Sequence, residues 1–264
     1  MKIIHLSDLH VGESGFQRDK LVKCISEVNK MRPDVVIVTG DLTENGLTNE
    51  MMEAKTYLDS IRARKYVTMG NHDARNVGYL KFEKIIGPRW FKCEMPGYCS
   101  ILGVDSSEPD LDEGEIGKEG RKMVEEDLCG VREQFKIFVL HHHLLPIPLS
   151  GRERNVLVDS GDVLRVLMKN NVTIALSGHK HVPYLWNLNG MIVLHAGSAS
   201  SRRLRGLEEN VYNVLDIGER SVSVTLKIIG GGSHEIAKFD IVTRGKRVQL
   251  MERSSTDIFS LFSI

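Results

Sequence analysis

Along the first two-thirds of the chain, short apolar runs alternate with longer stretches in which apolar residues recur every three to four positions. Residues 3–7 are a short apolar run and predict a buried strand. From Arg18 to Lys30, Leu21, Val22, Cys24, Ile25 and Val28 fall at helical spacing, with Glu27 and the lysines elsewhere on the wheel. Val35-Val36-Ile37-Val38 is β-branched throughout, as in strands buried on both faces of a parallel sheet. Met51, Ala54, Leu58 and Ile61 predict a second helix, capped by Thr48 or Asn49, and a strand follows at 65–69. Residues 74–98 are weakly patterned, with a short helix near 79–86. Then come a strand at 100–104, an acidic surface loop at 108–117, a helix at 118–128 and a strand at 136–140. A Pro-containing loop at 144–158, a helix at 160–169 stopped by Asn170-Asn171, and a strand at 172–176 complete the alternation.

Beyond this point the pattern changes to strands alone, at 191–194, 211–216, 221–228 and 235–242. A turn at Gly218 makes the middle two a hairpin, Gly230-Gly231-Gly232 is a short flexible joint, and Arg244-Gly245-Lys246-Arg247 reads as a further hairpin turn. The expectation is one α/β domain over 1–264, with a catalytic core over about 1–229 and a C-terminal strand and tail over 230–264.

The 35 Lys and Arg balance the 35 Asp and Glu, which argues against a general duplex-DNA binder and against an acidic partner-binding tail, while a local basic patch stays compatible with the balance. Cys24, Cys93, Cys99 and Cys129 form no C-x-x-C pair, so reduced thiols and a cytoplasmic setting are expected. The N-terminal apolar stretch breaks at Asp8, too early for a signal segment or a membrane span.

Five polar segments each follow directly on a predicted strand: Asp8-x-His10, Gly40-Asp41, Gly70-Asn71-His72-Asp73, His141-His142 and Gly178-His179-x-His181. Taken alone, Gly-Asn-His-Asp is turn punctuation. Sheets of this kind bind ligands beyond the carboxyl ends of their strands, so the five segments can converge. They offer Asp8, His10, Asp41, Asn71, His141, His179 and His181 as oxygen and imidazole donors without a thiolate, which suits Mn, Fe or Zn. Seven donors exceed what one ion takes. Two divalent ions sharing Asp41 divide them, with Asp8, His10 and His181 at one and Asn71, His141 and His179 at the other.

The ordered set D-x-H, G-D, G-N-H-D, H and G-H-x-H over residues 8–181 resembles the calcineurin-like metallophosphoesterase superfamily. The short first strand and the His141-His142-His143-Leu144-Leu145-Pro146 stretch are most similar to its class III cyclic-nucleotide phosphodiesterase branch, which commonly has His-His-Pro-Pro there. The resemblance implies a four-layer α/β/β/α sandwich, two mixed sheets flanked by helices, holding a dinuclear metal centre. It implies that Asp8, His10, Asp41, Asn71, His141, His179 and His181 are the ligands, that Asp41 and Asn71 serve catalysis with them, and that His72 is the active-site histidine. His141 is the expected ligand of the three consecutive histidines because it leaves the strand first. Gly40, Gly70 and Gly178 would let backbone pass close to the ions, and Asp73 is a candidate to orient a site histidine.

The expected activity is hydrolysis of small phosphodiesters such as cyclic nucleotides, or of phosphomonoesters, by a metal-bridging hydroxide attacking phosphorus while His72 protonates the leaving oxygen. A nuclease of the same superfamily and a non-catalytic scaffold with the same fold are the alternatives; the first lacks length and charge here, and the second would have lost ligands. A small phosphoester is the expected partner, with no membrane, and nucleic acid is disfavoured. His5 and His234 read as strand residues with satisfied rings, His142 and His195 lie nearer the site, and Asp105 reads as structural. The arginines of Ser201-Arg202-Arg203-Leu204-Arg205 read as solvated rather than bound to a substrate phosphate. The apolar tail at 257–264 packs on its own chain or forms a homodimer contact.

Overall fold

The fold is that of a computed structural model describing residues 1–131, 133, 135–151, 155–205, 207–244 and 247–262. In chain order the strands are β1 (Lys2–Leu6), β2 (Val35–Thr39), β3 (Arg64–Thr68), β4 (Phe91–Met95), β5 (Cys99–Gly103), β6 (Phe135–Val139) and β7 (Ile174–Ser177). They continue as β8 (Tyr184–Leu188), β9 (Met191–His195), β10 (Val211–Ile217), β11 (Ser221–Ile228), β12 (Ser233–Arg244) and β13 (Arg247–Ser255). The helices are α1 (Arg18–Met31), α2 (Thr48–Asp59), α3 (Asn71–Ala74), α4 (Gly78–Ile85), α5 (Gly117–Leu128) and α6 (Ser160–Lys169).

Two sheets form, ordered β13-β12-β11-β10-β1-β2-β3 and β4-β5-β6-β7-β9-β8. Both are mixed. β1, β2 and β3 run parallel with β10 antiparallel to β1, and β5, β6, β7 and β9 run parallel between antiparallel edges β4 and β8. Strand periodicity sorts side chains into layers. Ile3, Val35 and Ile37 meet Ile101, Ile137 and Ile174 in the core between the sheets. Their neighbours Ile4, Val36 and Val38 turn to the opposite face and pack on Leu21, Cys24, Val28, Met51, Ala54 and Leu58 of α1 and α2. Leu102, Phe138 and Ala175 on the outer face of the second sheet meet Val124 and Leu128 of α5 and Val163 and Leu167 of α6. The four-layer α/β/β/α order follows from that alternation.

Three strands absent from the sequence reading, β4, β8 and β13, lie at sheet edges. Edge strands bury one face at most, so their apolar signal is interrupted by polar residues, as in Phe91-Lys92-Cys93-Glu94-Met95. The expected Thr48 or Asn49 cap is corrected as well. The N-cap of α2 is Leu47, and the free amides of that turn are satisfied by Glu50, whose Oε2 accepts from Asn45 N at 2.8 Å and Leu47 N at 3.4 Å. Gly230-Gly231-Gly232 closes the antiparallel β11–β12 hairpin. β12 and β13 pair antiparallel as the expected hairpin requires, and residues 245 and 246 of its turn lie outside the described residues.

The tail turns through a 3-10 segment, Ile258–Phe262. Ile258, with Leu261 and Phe262 partly buried beside it, packs on the inter-sheet core, and Phe259 packs with Ile147, Val182 and Tyr184, so the apolar side chains of the described tail pack on their own chain. No helix among the described residues is long and apolar enough to cross a membrane.

Truncating the inter-sheet core is therefore expected to be costly. Ile137 is 0% exposed, and Ile137→Ala should lose about 2–5 kcal/mol in chemical denaturation. Leu111→Ala, at a residue 52% exposed, should stay within about 0.5 kcal/mol of the parent.

Candidate metal centre

The carboxyl ends of β1, β2 and β3 in one sheet and of β6 and β7 in the other carry the five polar segments. Left-handed backbone is rare outside glycine, yet Asp8 (φ 56°), His10 (50°), Asp41 (51°), His179 (76°) and His181 (58°) all adopt it. Strain of this kind costs about 1–3 kcal/mol per residue and persists where surrounding structure over-determines it. The surroundings are tight. A Cβ at Gly70 would overlap Asp41 Oδ1 and a Cβ at Gly178 would overlap Ser7 Oγ and crowd Asp8 Oδ2, so these glycines let backbone pass close to the two carboxylates themselves.

All seven expected donors are buried, and they fall into two groups. Asp8, His10 and His181 bring ligand atoms within 4.8 Å of one another, as do Asp41, His141 and His179. Asn71 joins the second group, its Oδ1 standing 3.0 Å from both His141 Nε2 and His179 Nδ1. Asn71 Nδ2 donates to Asp112 Oδ1 at 3.2 Å, which fixes the amide with its oxygen inward. Asp41 Oδ1 accepts the His72 N–H at 2.9 Å. Its other oxygen, Oδ2, lies 3.3 Å from His141 Nε2 and 3.7 Å from His10 Nε2, so one atom stands between the groups.

The ring nitrogens show what charge the arrangement favours. His10 Nδ1 donates to Glu44 Oε2 (3.0 Å) and His181 Nδ1 donates to the Arg203 carbonyl (2.6 Å), which in the neutral tautomer leaves the lone pair of each ring on Nε2. Those two Nε2 atoms face each other at 2.9 Å. His141 Nδ1 donates to the Thr39 carbonyl (2.6 Å), leaving its Nε2 against Asn71 Oδ1, Asp41 Oδ2 and His179 Nδ1, 3.2 Å away. With neutral rings, acceptors would converge on acceptors, and positive charge among them, a bound proton or a cation, removes the repulsion. Burial disfavours a charged His141, yet the Asp41 and Asp8 carboxylates outweigh it and push that ring up to about 9. Burial likewise opposes ionised Asp41, but His141, His72 and His10 hold it well below the usual carboxylate range. The site demands cationic charge, and its nitrogen and oxygen donors suit divalent metals of intermediate hardness.

His72 sits beside this centre, its ring edge-on to His10 at 4.7 Å between centroids. Its Nδ1 donates to the Glu44 carbonyl at 2.8 Å. Burial works against a charged ring here too, but Asp41 and the Glu44 carboxylate push His72 up to about 9, so it holds a proton at neutral pH.

The expected role of Asp73 is corrected. Its carboxylate touches no histidine; it accepts from Leu42 N (3.1 Å), Thr43 N (2.9 Å), Thr43 Oγ1 (2.8 Å) and Gly70 N (3.0 Å), and so pins the turn bearing Asp41 to the turn bearing Asn71. Of the three consecutive histidines, His141 reaches the donor group, while His142 is held by Ser106 Oγ (2.9 Å) and the Asp112 carbonyl (3.2 Å). His195 Nδ1 pairs with Ser177 Oγ at 2.6 Å, and His5 is satisfied by Thr39 and Asn213. Asp105 pairs with Arg89 at 3.0 Å, in keeping with a structural role.

Sequence reasoning missed Glu44, Arg203 and Asp112, which hold site side chains from outside. Glu44 had a legible signal, being a carboxylate three residues past Asp41 on the same turn. Arg203 and Asp112 had none, since contacts between distant loops leave no local pattern. Arg203 is also not the free solvated side chain expected, for it pairs with Glu13 and Glu44.

Comparison with known proteins agrees with the geometry. Residues 1–183 match the family model of the calcineurin-like phosphoesterases. A probable glycerophosphodiester phosphodiesterase of Arcobacter nitrofigilis is 28% identical over 220 residues, 76% of this chain and 79% of that protein. A probable cyclic nucleotide phosphodiesterase of Vesicomyosocius okutanii is 24% identical over 232 residues, 84% of this chain and 97% of that one. Among solved structures, a dimetal phosphatase from Danio rerio shares the fold with a TM-score of 0.71 at 10% identity, covering 89% of this chain and 98% of its own. Because the matched region takes in all five strand-end segments, the chain belongs to the calcineurin-like phosphoesterases and is a metal-dependent hydrolase of phosphoester bonds.

Proposed function

We propose that this hydrolase is a dinuclear phosphodiesterase of small substrates, with cyclic nucleotides and glycerophosphodiesters as the first classes to try. The observation that carries the dinuclear reading is the facing pair of ring nitrogens, His10 Nε2 and His181 Nε2 at 2.9 Å, beside a second donor group around the same Asp41 Oδ2. Asp8, His10 and His181 would hold one divalent ion, Asn71, His141 and His179 the other, and Asp41 both. When bound, the pair supplies charge to neutralise phosphoryl oxygens and a water made nucleophilic near neutral pH. Manganese, iron and zinc all fit the donors. The substrate classes rest on the names of the two relatives, a glycerophosphodiester and a cyclic nucleotide phosphodiesterase.

The chain's own residues then place the phosphate and move the proton. Asp41 is steered by the His72 N–H on Oδ1, which presents Oδ2 to both histidine groups. Asp73 holds the backbone of that turn, so the carboxylate does not drift when substrate enters. With Nδ1 fixed on the Glu44 carbonyl, His72 has Nε2 to give a proton to the leaving oxygen. Transfer of this kind is worth about 10²- to 10⁴-fold where the leaving alkoxide is basic.

Two outcomes are expected. Purified chain treated with a strong chelator should lose diesterase activity and recover it on adding Mn²⁺, reaching two ions per chain; full activity at one ion per chain would contradict the dinuclear reading. His72→Ala should retain both ions while turnover of an alkyl phosphodiester drops by about 10²- to 10⁴-fold, with a smaller loss on an activated aryl diester. Equal rates for parent and variant on both substrates would remove the proton-donor role.

A further inference from the structure

The Nδ1 atoms of three site histidines converge on two residues that are themselves paired, with Arg75 Nη1 a further neighbour of His72 Nδ1 at 2.9 Å. His10 Nδ1 lies 3.0 Å from Glu44 Oε2, and His72 Nδ1 lies 3.3 Å from the same oxygen and 2.8 Å from the Glu44 carbonyl. His181 Nδ1 donates to the Arg203 carbonyl at 2.6 Å. Arg203 closes the circuit, because its Nη2 reaches Glu44 Oε1 at 2.8 Å. Its Nε reaches Glu13 Oε1 at 2.5 Å, and Glu13 lies three residues past His10, with a side chain only 3% exposed.

We infer that Arg203 is a positioning residue for the Asp8, His10 and His181 half of the centre. Its backbone fixes the tautomer and direction of His181, while its guanidinium, forked between Glu13 and Glu44, fixes the carboxylate that orients His10 and His72. The inference rests on the dinuclear reading above and adds a residue from a loop that contributes no ligand to it.

The physical case has three parts. Glu44 carries two carboxylate oxygens with separate tasks, Oε2 toward the histidines and Oε1 toward Arg203, so the guanidinium selects the rotamer in which Oε2 faces the site. A guanidinium presents its donors in a rigid fork that sets the direction of two carboxylates at once, whereas the three donors of an ammonium rotate. The loop carrying Arg203 is itself anchored to the ligand turn. Ser198 Oγ donates to the Asp8 carbonyl at 2.7 Å and Ser200 Oγ to the Leu9 carbonyl at 2.8 Å. Arg203 N donates to Ser201 Oγ at 3.0 Å, which carries that anchoring on to the arginine. The second half of the centre takes its outer contacts elsewhere, from the Thr39 carbonyl and Asp112. Loss of the Arg203 side chain should therefore act on one ion and spare the other.

The test is Mn²⁺ titration of metal-free chain by calorimetry for the parent, Arg203→Met, Arg203→Lys, Glu44→Gln and the Glu44→Gln/Arg203→Met double variant, with thermal unfolding of each metal-free protein alongside. The Arg203 side chain is 53% exposed but its partner Glu13 is 3% exposed, so thermal unfolding measures any cost to the metal-free fold separately from metal affinity. Arg203→Met should weaken one of the two Mn²⁺ equivalents by about 10- to 100-fold, as expected for loss of a residue that orients ligands, and leave the other within about threefold. Arg203→Lys should recover part of the loss, and the double variant should be no weaker than Glu44→Gln alone, because both changes break one chain of contacts. Parent binding of two equivalents with Arg203→Met unchanged would overturn this inference alone, as would equal weakening of both equivalents or additive losses in the double variant. A parent that binds fewer than two would overturn the dinuclear reading and this inference with it.

Discussion

Crowding of buried polar atoms that calls for positive charge is the constraint around which this site is arranged. Asp41 Oδ2, His141 Nε2, Asn71 Oδ1 and His179 Nδ1 crowd together on one side, and the Nε2 atoms of His10 and His181 face each other on the other. His141, His10, His181 and Asn71 are turned inward because the opposite edge of each ring or amide is held from outside, by Thr39, Glu44, Arg203 and Asp112 respectively. Such a cluster stands only if rigid structure imposes it, and the two packed sheets with their three hydrophobic layers provide that rigidity. Left-handed backbone at five of the seven donors is the local sign of the same constraint. Stability made in the layers is spent at the strand ends.

Much of this was legible in the sequence, for reasons that differ by element. Val35-Val36-Ile37-Val38 had to be a central strand because no polar residue interrupts it, and it is buried throughout. α6 was readable to the residue because its apolar stripe is bounded by Ser160 and by Asn170-Asn171. The edge strands β4, β8 and β13 were not, since one-sided burial mixes Lys, Glu, Arg and Asn into their apolar positions. At the site, the strand-end position of each polar segment foretold convergence. It said nothing of which atoms hold each ring. Asp73 shows the limit: its place beside His72 suggested an imidazole partner, whereas the helical turn at Asn71–Ala74 aims its carboxylate back at the Asp41 turn. The acidic loop at 108–117, read as a surface loop, brings Asp112 against Asn71 and Arg75, a contact across about forty residues of chain that local pattern cannot encode.

The outer contacts also divide the centre into two unequal halves. One is fastened to the loop at 198–205 through serine hydroxyls and Arg203, the other to β2 and the acidic loop. Asp41 approaches both groups, and the turn that carries it is gripped by Asp73.

The central claim, that the acceptor clusters are there to hold two cations sharing Asp41, is tested most directly by anomalous scattering from crystals of the chain grown with Mn²⁺. The account predicts two strong peaks, one between His10 Nε2 and His181 Nε2 and one among Asn71, His141 and His179, with Asp41 touching both. A single peak, or two peaks that do not share Asp41, would contradict it.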